Sequence, residues 1–308
     1  MNKRQLLAWI LLALFAIFSL MQGLVANLLP TPVRTGLVTF LPLVFLFVHG
    51  SLSYRLRDLF VFAAVTLVVS NFFENLSVLT GFPFGNYLYS DVLGPKLFLV
   101  PVLIGPAYLG TGYLSWTMAR VILGATNGRL WGHFTVTVPL IASLLMVSWD
   151  LAMDPLYSTI FRGWVWQDGG SYFGVPFSNF LGWLLTTFVF FQLFALYLKG
   201  RPNLQSTGEP PRRHQSLQAI LFYGLIAARY ILNGLTGEMS GTVTDPAGMV
   251  WRLQDIYTVT GLVALFTMGA FTLLGVVKLM SVSPEAQPAA AETSPDAAAP
   301  YRLTHQPD

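Results

Sequence analysis

Eight apolar segments follow one another along the chain with only short polar breaks between them, and this repetition constrains the fold more than any other feature. A helix needs roughly 20 apolar residues to cross the hydrocarbon core of a bilayer. The segments run approximately over residues 6–28, 36–49, 59–79, 97–119, 134–151, 180–198, 217–234 and 256–280. Within 308 residues, 54% are hydrophobic and 10% charged, far from the balance of a soluble domain. The expected fold is therefore all-α, a polytopic membrane bundle of about eight transmembrane helices. The second segment is the shortest and contains Pro42, which leaves a tilted or re-entrant path open as well as a full span.

The basic residues set the expected orientation. With the N-terminus in the cytoplasm, the inner breaks hold Lys3, Arg4, Arg55, Arg57, Arg120, Arg129, Lys199, Arg201, Arg212, Arg213, Lys278 and Arg302. The outer breaks hold only Arg34, Lys96, Arg162 and Arg252. This asymmetry fits eight spans with both termini cytoplasmic, in a multi-pass protein of the inner (cytoplasmic) membrane, and removing one span would scatter the basic clusters over both sides. The first segment lacks a small-x-small cleavage site and reads as a retained helix. Residues 1–280 are expected to form one transmembrane domain, and residues 281–308, rich in Ala, Pro, Glu and Ser, a disordered cytoplasmic tail.

Several function classes are disfavoured. The net charge of +3 is accounted for by the inner loops next to an anionic leaflet, so nucleic acid is not an expected partner, whereas membrane lipid is. Cysteine is absent and the four histidines form no metal-binding spacing. No phosphate-cradling or dinucleotide-binding glycine motif occurs, and no cofactor is implied.

Charges within apolar segments are costly unless they face the protein interior or a wet cavity. Glu74, Asp150 and Arg229 with Asn233 all fall near the expected outer ends of their spans and can meet in one layer. Ser70, Asn71, Glu74 and Asn75 share helical spacing, as do Asp150 with Asp154 and Arg229 with Asn233. Each has two readings. Glu74 is either a substrate-facing acid or a structural one paired with Arg229, and Asp150 is similarly divided. Asp154 either serves the site or binds backbone donors where Pro155 stops the helix. Arg229 either pairs inside or snorkels to the interface, and Asp255 is explained as a helix N-cap.

The outer loops combine aromatic surface with glycine and proline turns, as in Gly81–Tyr89 and in Trp164–Phe180. An interfacial aromatic belt explains the rings. Ordered loops closing over a long apolar substrate explain the glycines as well.

Glu74 with Gly81-Phe82-Pro83-Phe84-Gly85-Asn86-Tyr87-Leu88-Tyr89, then Trp149-Asp150-Leu151-Ala152-Met153-Asp154-Pro155, then Trp164-Val165-Trp166 and Tyr172 to Trp183 together resemble the carotenoid biosynthesis membrane-protein family. That family includes the carotenoid 1,2-hydratases acting on gamma-carotene and on bacterioruberin precursors, and the resemblance covers roughly residues 35–280. It implies cofactor-free addition of water across the terminal C1,C2 double bond of an acyclic carotenoid end, giving a tertiary 1-hydroxy product. Its implied partners are the long-chain carotenoid and other enzymes of the carotenoid pathway. Protonation at C2 leaves a cation at C1 that water attacks, which calls for a proton donor and a second carboxylate. The candidate catalytic residues are Glu74, Asp150 and Asp154, with Glu74 and Asp150 the favoured pair. Candidate substrate-facing residues are Asn71, Asn75, Tyr87, Tyr89, Trp149, Trp166, Tyr172, Asn179, Arg229 and Asn233. The same protonation also begins an end-ring cyclisation, and a lipid or solute transporter is the alternative outside enzymology.

Overall fold

The computed structural model describes residues 2–25, 31–125, 130–200, 213–236 and 240–281. The expected tail lies outside the described residues from position 282 onward. The helices are α1 (Lys3–Val25), α2 (Thr31–Gly50), α3 (Leu56–Thr80), α4 (Ile104–Leu123), α5 (Phe134–Asp154), α6 (Phe177–Lys199), α7 (Arg213–Thr236), α8 (Leu253–Ala264) and α9 (Ala270–Ser281). A π-helical turn over Leu265–Gly269 joins α8 to α9 into one rod. Five of the helical rods, Leu56–Thr80, Phe134–Ile160, Phe177–Lys199, Arg213–Thr236 and Leu253–Ser281, are long and apolar enough to cross a membrane. The second apolar segment forms a helix that runs through Pro42. Its neighbour α4 places Gly110 against that proline, where an added Cβ would come within 2.7 Å of the Pro42 ring.

The bundle is apolar outside as well as inside. On α3 the buried positions Asp58, Phe62, Thr66, Ser70, Glu74 and Ser77 recur every three or four residues and form one face. Phe60, Val68, Phe72 and Leu79 are exposed elsewhere on the same helix, as lipid-facing residues are. The buried side packs against α4 and α6 across a mid-bundle cluster of Phe62, Trp116, Phe190, Phe191 and Phe194.

Local chemistry sets where the site-bearing helices end. α3 stops at Gly81, whose left-handed φ of 78° lets its N–H return to the Ser77 carbonyl. The Ser77 hydroxyl then holds the next loop, accepting from the Phe84 N–H and donating to the Gly85 carbonyl. Pro155 does not stop α5 as the sequence suggests. The chain continues through it as a π-helical turn to Ile160, since a widened turn accommodates a ring that cannot donate.

Three connections at this end of the bundle form short two-stranded ribbons. Strand β1 (Tyr87–Tyr89) pairs antiparallel with β4 (Trp164–Trp166), in register Tyr87 with Trp166 and Tyr89 with Trp164. Strands β2 (Lys96–Leu97) and β3 (Val100–Pro101) form the second, and β5 (Thr242–Thr244) and β6 (Val250–Arg252) the third. The third ribbon is tied to the second long loop through Arg162, which donates to the Thr244 carbonyl, and through the Phe173–Trp251 ring contact. The three loops thus form a connected cap.

Candidate active site

Alternation along a strand sends Tyr87 and Tyr89 to one face of the β1–β4 ribbon, and the register puts Trp166 and Trp164 on that same face. Both phenols donate to Oε2 of Glu74, Tyr89 at 2.9 Å and Tyr87 through a short bond. Tyr108, one turn into α4, donates to Oε1 at 2.8 Å. Burial first, and then the Glu74 carboxylate, push the Tyr87 and Tyr89 hydroxyls well above the usual tyrosine range, so both remain donors at neutral pH.

The other half of the ribbon serves a different acid. Trp164 and Trp166 donate their indole N–H groups to Oδ1 of Asp154 at 3.0 and 3.3 Å. The amide of Asn179, in the first turn of α6, donates to Oδ2 of Asp154 at 2.7 Å and to Oδ2 of Asp150 at 2.9 Å. Asp154 therefore binds side chains from the ribbon and α6 instead of backbone donors in a terminal turn. Glu74 and Asp154 each have three donors, two on one oxygen and one on the other, so each keeps one acceptor position open. Burying a carboxylate costs several kcal/mol, and hydrogen bonds to a charged group, worth about 1.5–3 kcal/mol each, offset it.

Glu74, Asp154 and Asn179 line one cavity with about 1060 Å³ of empty space, including its mouth. Its walls are largely aromatic: Tyr87, Tyr89, Tyr108, Trp149, Tyr157, Trp164, Trp166, Trp183 and Tyr230. Tyr108 and Trp183 stack in parallel, with centroids 4.5 Å apart and planes 6° from each other. Half-buried residues of α2 and α4, among them Val38, Thr39, Ile104, Ala107 and Thr111, line the cavity beside the exposed apolar surface of the bundle. Aromatic faces attract cations, so a cavity of this composition with two carboxyls in its wall can hold a developing positive charge on an apolar ligand.

The sequence model of carotenoid biosynthesis proteins matches residues 35–239, well over half of the chain, including both ribbon strands and all three acids. The chain belongs to the carotenoid biosynthesis protein family. A bisanhydrobacterioruberin hydratase of Haloarcula japonica is 30% identical to this carotenoid biosynthesis protein over 126 residues, which is 39% of each chain. The match thus spans well under two thirds of that relative's length. No solved structure matches.

In this carotenoid biosynthesis protein the residues proposed from sequence separate into two groups. Glu74, Asp154, Tyr87, Tyr89, Trp149, Trp166, Asn179 and Arg229 line the cavity. Asp150 is fully buried behind Asn179, and its Oδ1 has no hydrogen-bond partner. Asn71 and Asn75 lie beside the Glu74 face of α3. Asn75 donates to Asn71 and accepts the Leu99 N–H, which pins the β2–β3 ribbon. Tyr172 donates to the Leu151 carbonyl behind the cavity, and Asn233 is half-buried away from the lining. Arg229 makes no ion pair with Glu74, whose carboxyl is bound by three phenols. Its guanidinium instead lies 5.5 Å from the ring centre of Tyr230. Tyr108, Trp164 and Trp183 are site residues that the list of candidates missed. The topology could have found Tyr108, because it lies within the first turns of α4 at the same end of the bundle as Glu74.

Proposed function

We propose that the protein hydrates the terminal C1,C2 double bond of an acyclic carotenoid end, with Glu74 as proton donor and Asp154 as its partner. The observation that carries this reading is the pair of buried carboxyls, each with one open acceptor position, in a single aromatic-walled cavity. Family membership and the partial likeness to a protein named as a hydratase support the reaction class.

The two acids differ in what their donors permit. Indole N–H groups only donate, so Oδ1 of Asp154 must stay an acceptor. Phenol hydroxyls both donate and accept, so the shell of Glu74 accommodates its protonated and ionised forms alike. Glu74 then gives its proton to C2, the π pair of the double bond forms the C2–H bond, and C1 becomes cationic. The aromatic rings and the Asp154 carboxylate stabilise that charge. Water adds to C1 and passes one proton to the open position on Oδ2 of Asp154, where Asn179 fixes the carboxyl's orientation. Transfer of that proton back to Glu74 restores the starting state, and the sum is alkene plus water giving a tertiary alcohol.

We place this site at the outer end of an eight-span bundle with both termini in the cytoplasm, as the distribution of basic residues supports. The carotenoid arrives from the bilayer between α2 and α4, and other enzymes of the pathway supply and remove it. The aromatic lining also suits a cyclase, in which an internal alkene captures the same cation. Product analysis with an acyclic carotenoid separates the two: a 1-hydroxy product supports hydration, and an end ring replaces it with cyclisation.

A further inference from the structure

A second cavity lies at the opposite end of the bundle, between α2, the turn that follows it, α4 and α7, with about 360 Å³ of empty space, including its mouth. It is independent of the hydration reading. Arg120, twelve residues and therefore about 18 Å along α4 from Tyr108, lines it while remaining 6% exposed. The guanidinium is held in place by two bonds: Nε donates to the Ala125 carbonyl at 2.8 Å and Nη1 to the Tyr54 hydroxyl. Tyr54 also accepts from the Trp116 indole at 3.1 Å, which fixes its own position.

Nη2 of Arg120 has no hydrogen-bond partner, and among the described residues no carboxylate pairs with the side chain. A buried guanidinium without a counter-charge is costly. Ser53 and Ser216 line the same cavity, as does Thr117, whose hydroxyl already donates to the Tyr113 carbonyl at 2.9 Å. His49 lines the same cavity but cannot act as a counter-charge, since an imidazole is neutral or cationic; its Nδ1 lies 2.7 Å from the Tyr113 hydroxyl and its Nε2 2.9 Å from the Gln215 carbonyl. One unpartnered guanidinium N–H edge next to a cavity lined by Ser53 and Ser216 suits a tetrahedral oxyanion, which takes several donors at once. The same end of the bundle is basic, with Arg4, Arg55 and Arg57 exposed and Arg4 donating to the Ser51 carbonyl at 3.4 Å. Such a surface attracts anionic lipid.

We propose that this cavity is a binding site for a phosphate oxyanion, with Arg120 as its cation. The phosphate comes either from the headgroup of an anionic lipid or from free phosphate. The full chain, purified and placed in phosphatidylcholine nanodiscs without phosphate, is unfolded by heat while tryptophan fluorescence is followed. Inorganic phosphate is added in one arm, and phosphatidylglycerol replaces part of the lipid in the other. Binding raises Tm by a few degrees in at least one arm. A rise with phosphatidylglycerol alone assigns the headgroup, and a rise with inorganic phosphate assigns the free ion. Arg120→Gln removes the cation, and Ser53→Leu fills the cavity while leaving the bonds of Arg120 intact, so the second variant decides if the first fails to fold. The rise disappears in every variant that folds. Absence of a rise in both arms, or an undiminished rise in a folded variant, overturns the proposal.

Discussion

Tyr87 and Trp166 face each other across the paired strands β1 and β4, yet they donate to different acids, Tyr87 to Glu74 and Trp166 to Asp154. Their rings touch, with centroids 4.9 Å apart. One ribbon therefore fixes the positions of both carboxyls relative to each other, although the acids belong to α3 and α5. If the ribbon positions the acids for chemistry, removing a single donor matters even where the ring is kept. Trp166→Phe should lower turnover about tenfold, the effect of ~1.4 kcal/mol on a barrier, and Trp164→Phe should do the same. The double variant, which empties Oδ1 of Asp154, should lose more than the product of the two. Initial rates on an acyclic carotenoid, normalised to folded protein, provide the check.

Asn179 holds Asp150 and Asp154 with the two hydrogens of one amide. Asn179→Asp replaces those donors with a third acid and should abolish turnover and lower Tm. Asn179→Ala leaves both Oδ2 atoms short of a donor, at a cost of about 1–3 kcal/mol for each buried group. Its activity should fall more steeply than its yield of monodisperse protein, measured by size-exclusion chromatography beside product assay. A parallel fall in both would give Asn179 a folding role only.

Gly182 of α6 lies where the first loop meets the bundle. An added Cβ would stand 2.6 Å from the Phe84 ring and 2.9 Å from the Pro83 backbone. Backbone cannot yield as a side chain tip can, so Gly182→Ala should destabilise the protein by about 1–3 kcal/mol. Because Phe84 also lines the cavity, the variant should lose activity at temperatures where most of it is still folded. Thermal melts and rates on the same sample test both effects.

The phenol shell of Glu74 gives a clear result for Arg229. Were the two an ion pair, Arg229→Met would restore folding and activity to Glu74→Gln. With Tyr87, Tyr89 and Tyr108 on the carboxyl instead, Arg229→Met should restore neither, and the paired variant should be as inactive as Glu74→Gln alone. Recovery would bring back the ion-pair reading.

The helical architecture was readable because a bilayer demands long apolar runs, and eight of them are visible before any contact is known. The layer of polar groups at one end was readable for a related reason, since each interrupts such a run. What stayed hidden depends on side-chain direction. Asn71 and Asn75 share the helical spacing of Glu74 but stand about 60° and about 100° from it around the helix, an offset that sequence spacing blurs. Asp154, next to a proline, left two readings open in the sequence, and its donors Trp164, Trp166 and Asn179 come from distant segments that spacing does not bring together. The pairing of two loops 77 positions apart, Tyr87 to Trp164 at their starts, is a long-range contact for which the resemblance between their aromatic and glycine-rich stretches was the only sign. Tyr108 was missed because a tyrosine in an apolar helix carries no mark by residue type; only its place at the Glu74 end of α4 sets it apart.

The most direct test of the Glu74–Asp154 mechanism follows the atoms of water. The protein is incubated with an acyclic carotenoid in water carrying heavy oxygen and deuterium, and the product is analysed by mass spectrometry for the unaltered chain, Glu74→Gln and Asp154→Asn. Acid-catalysed hydration predicts one heavy oxygen at C1 and one deuterium at C2 for each end converted, with product formation in each folded variant reduced at least ~10²-fold. Oxygen derived from the gas phase, or near-normal product formation by Glu74→Gln and Asp154→Asn, would contradict it.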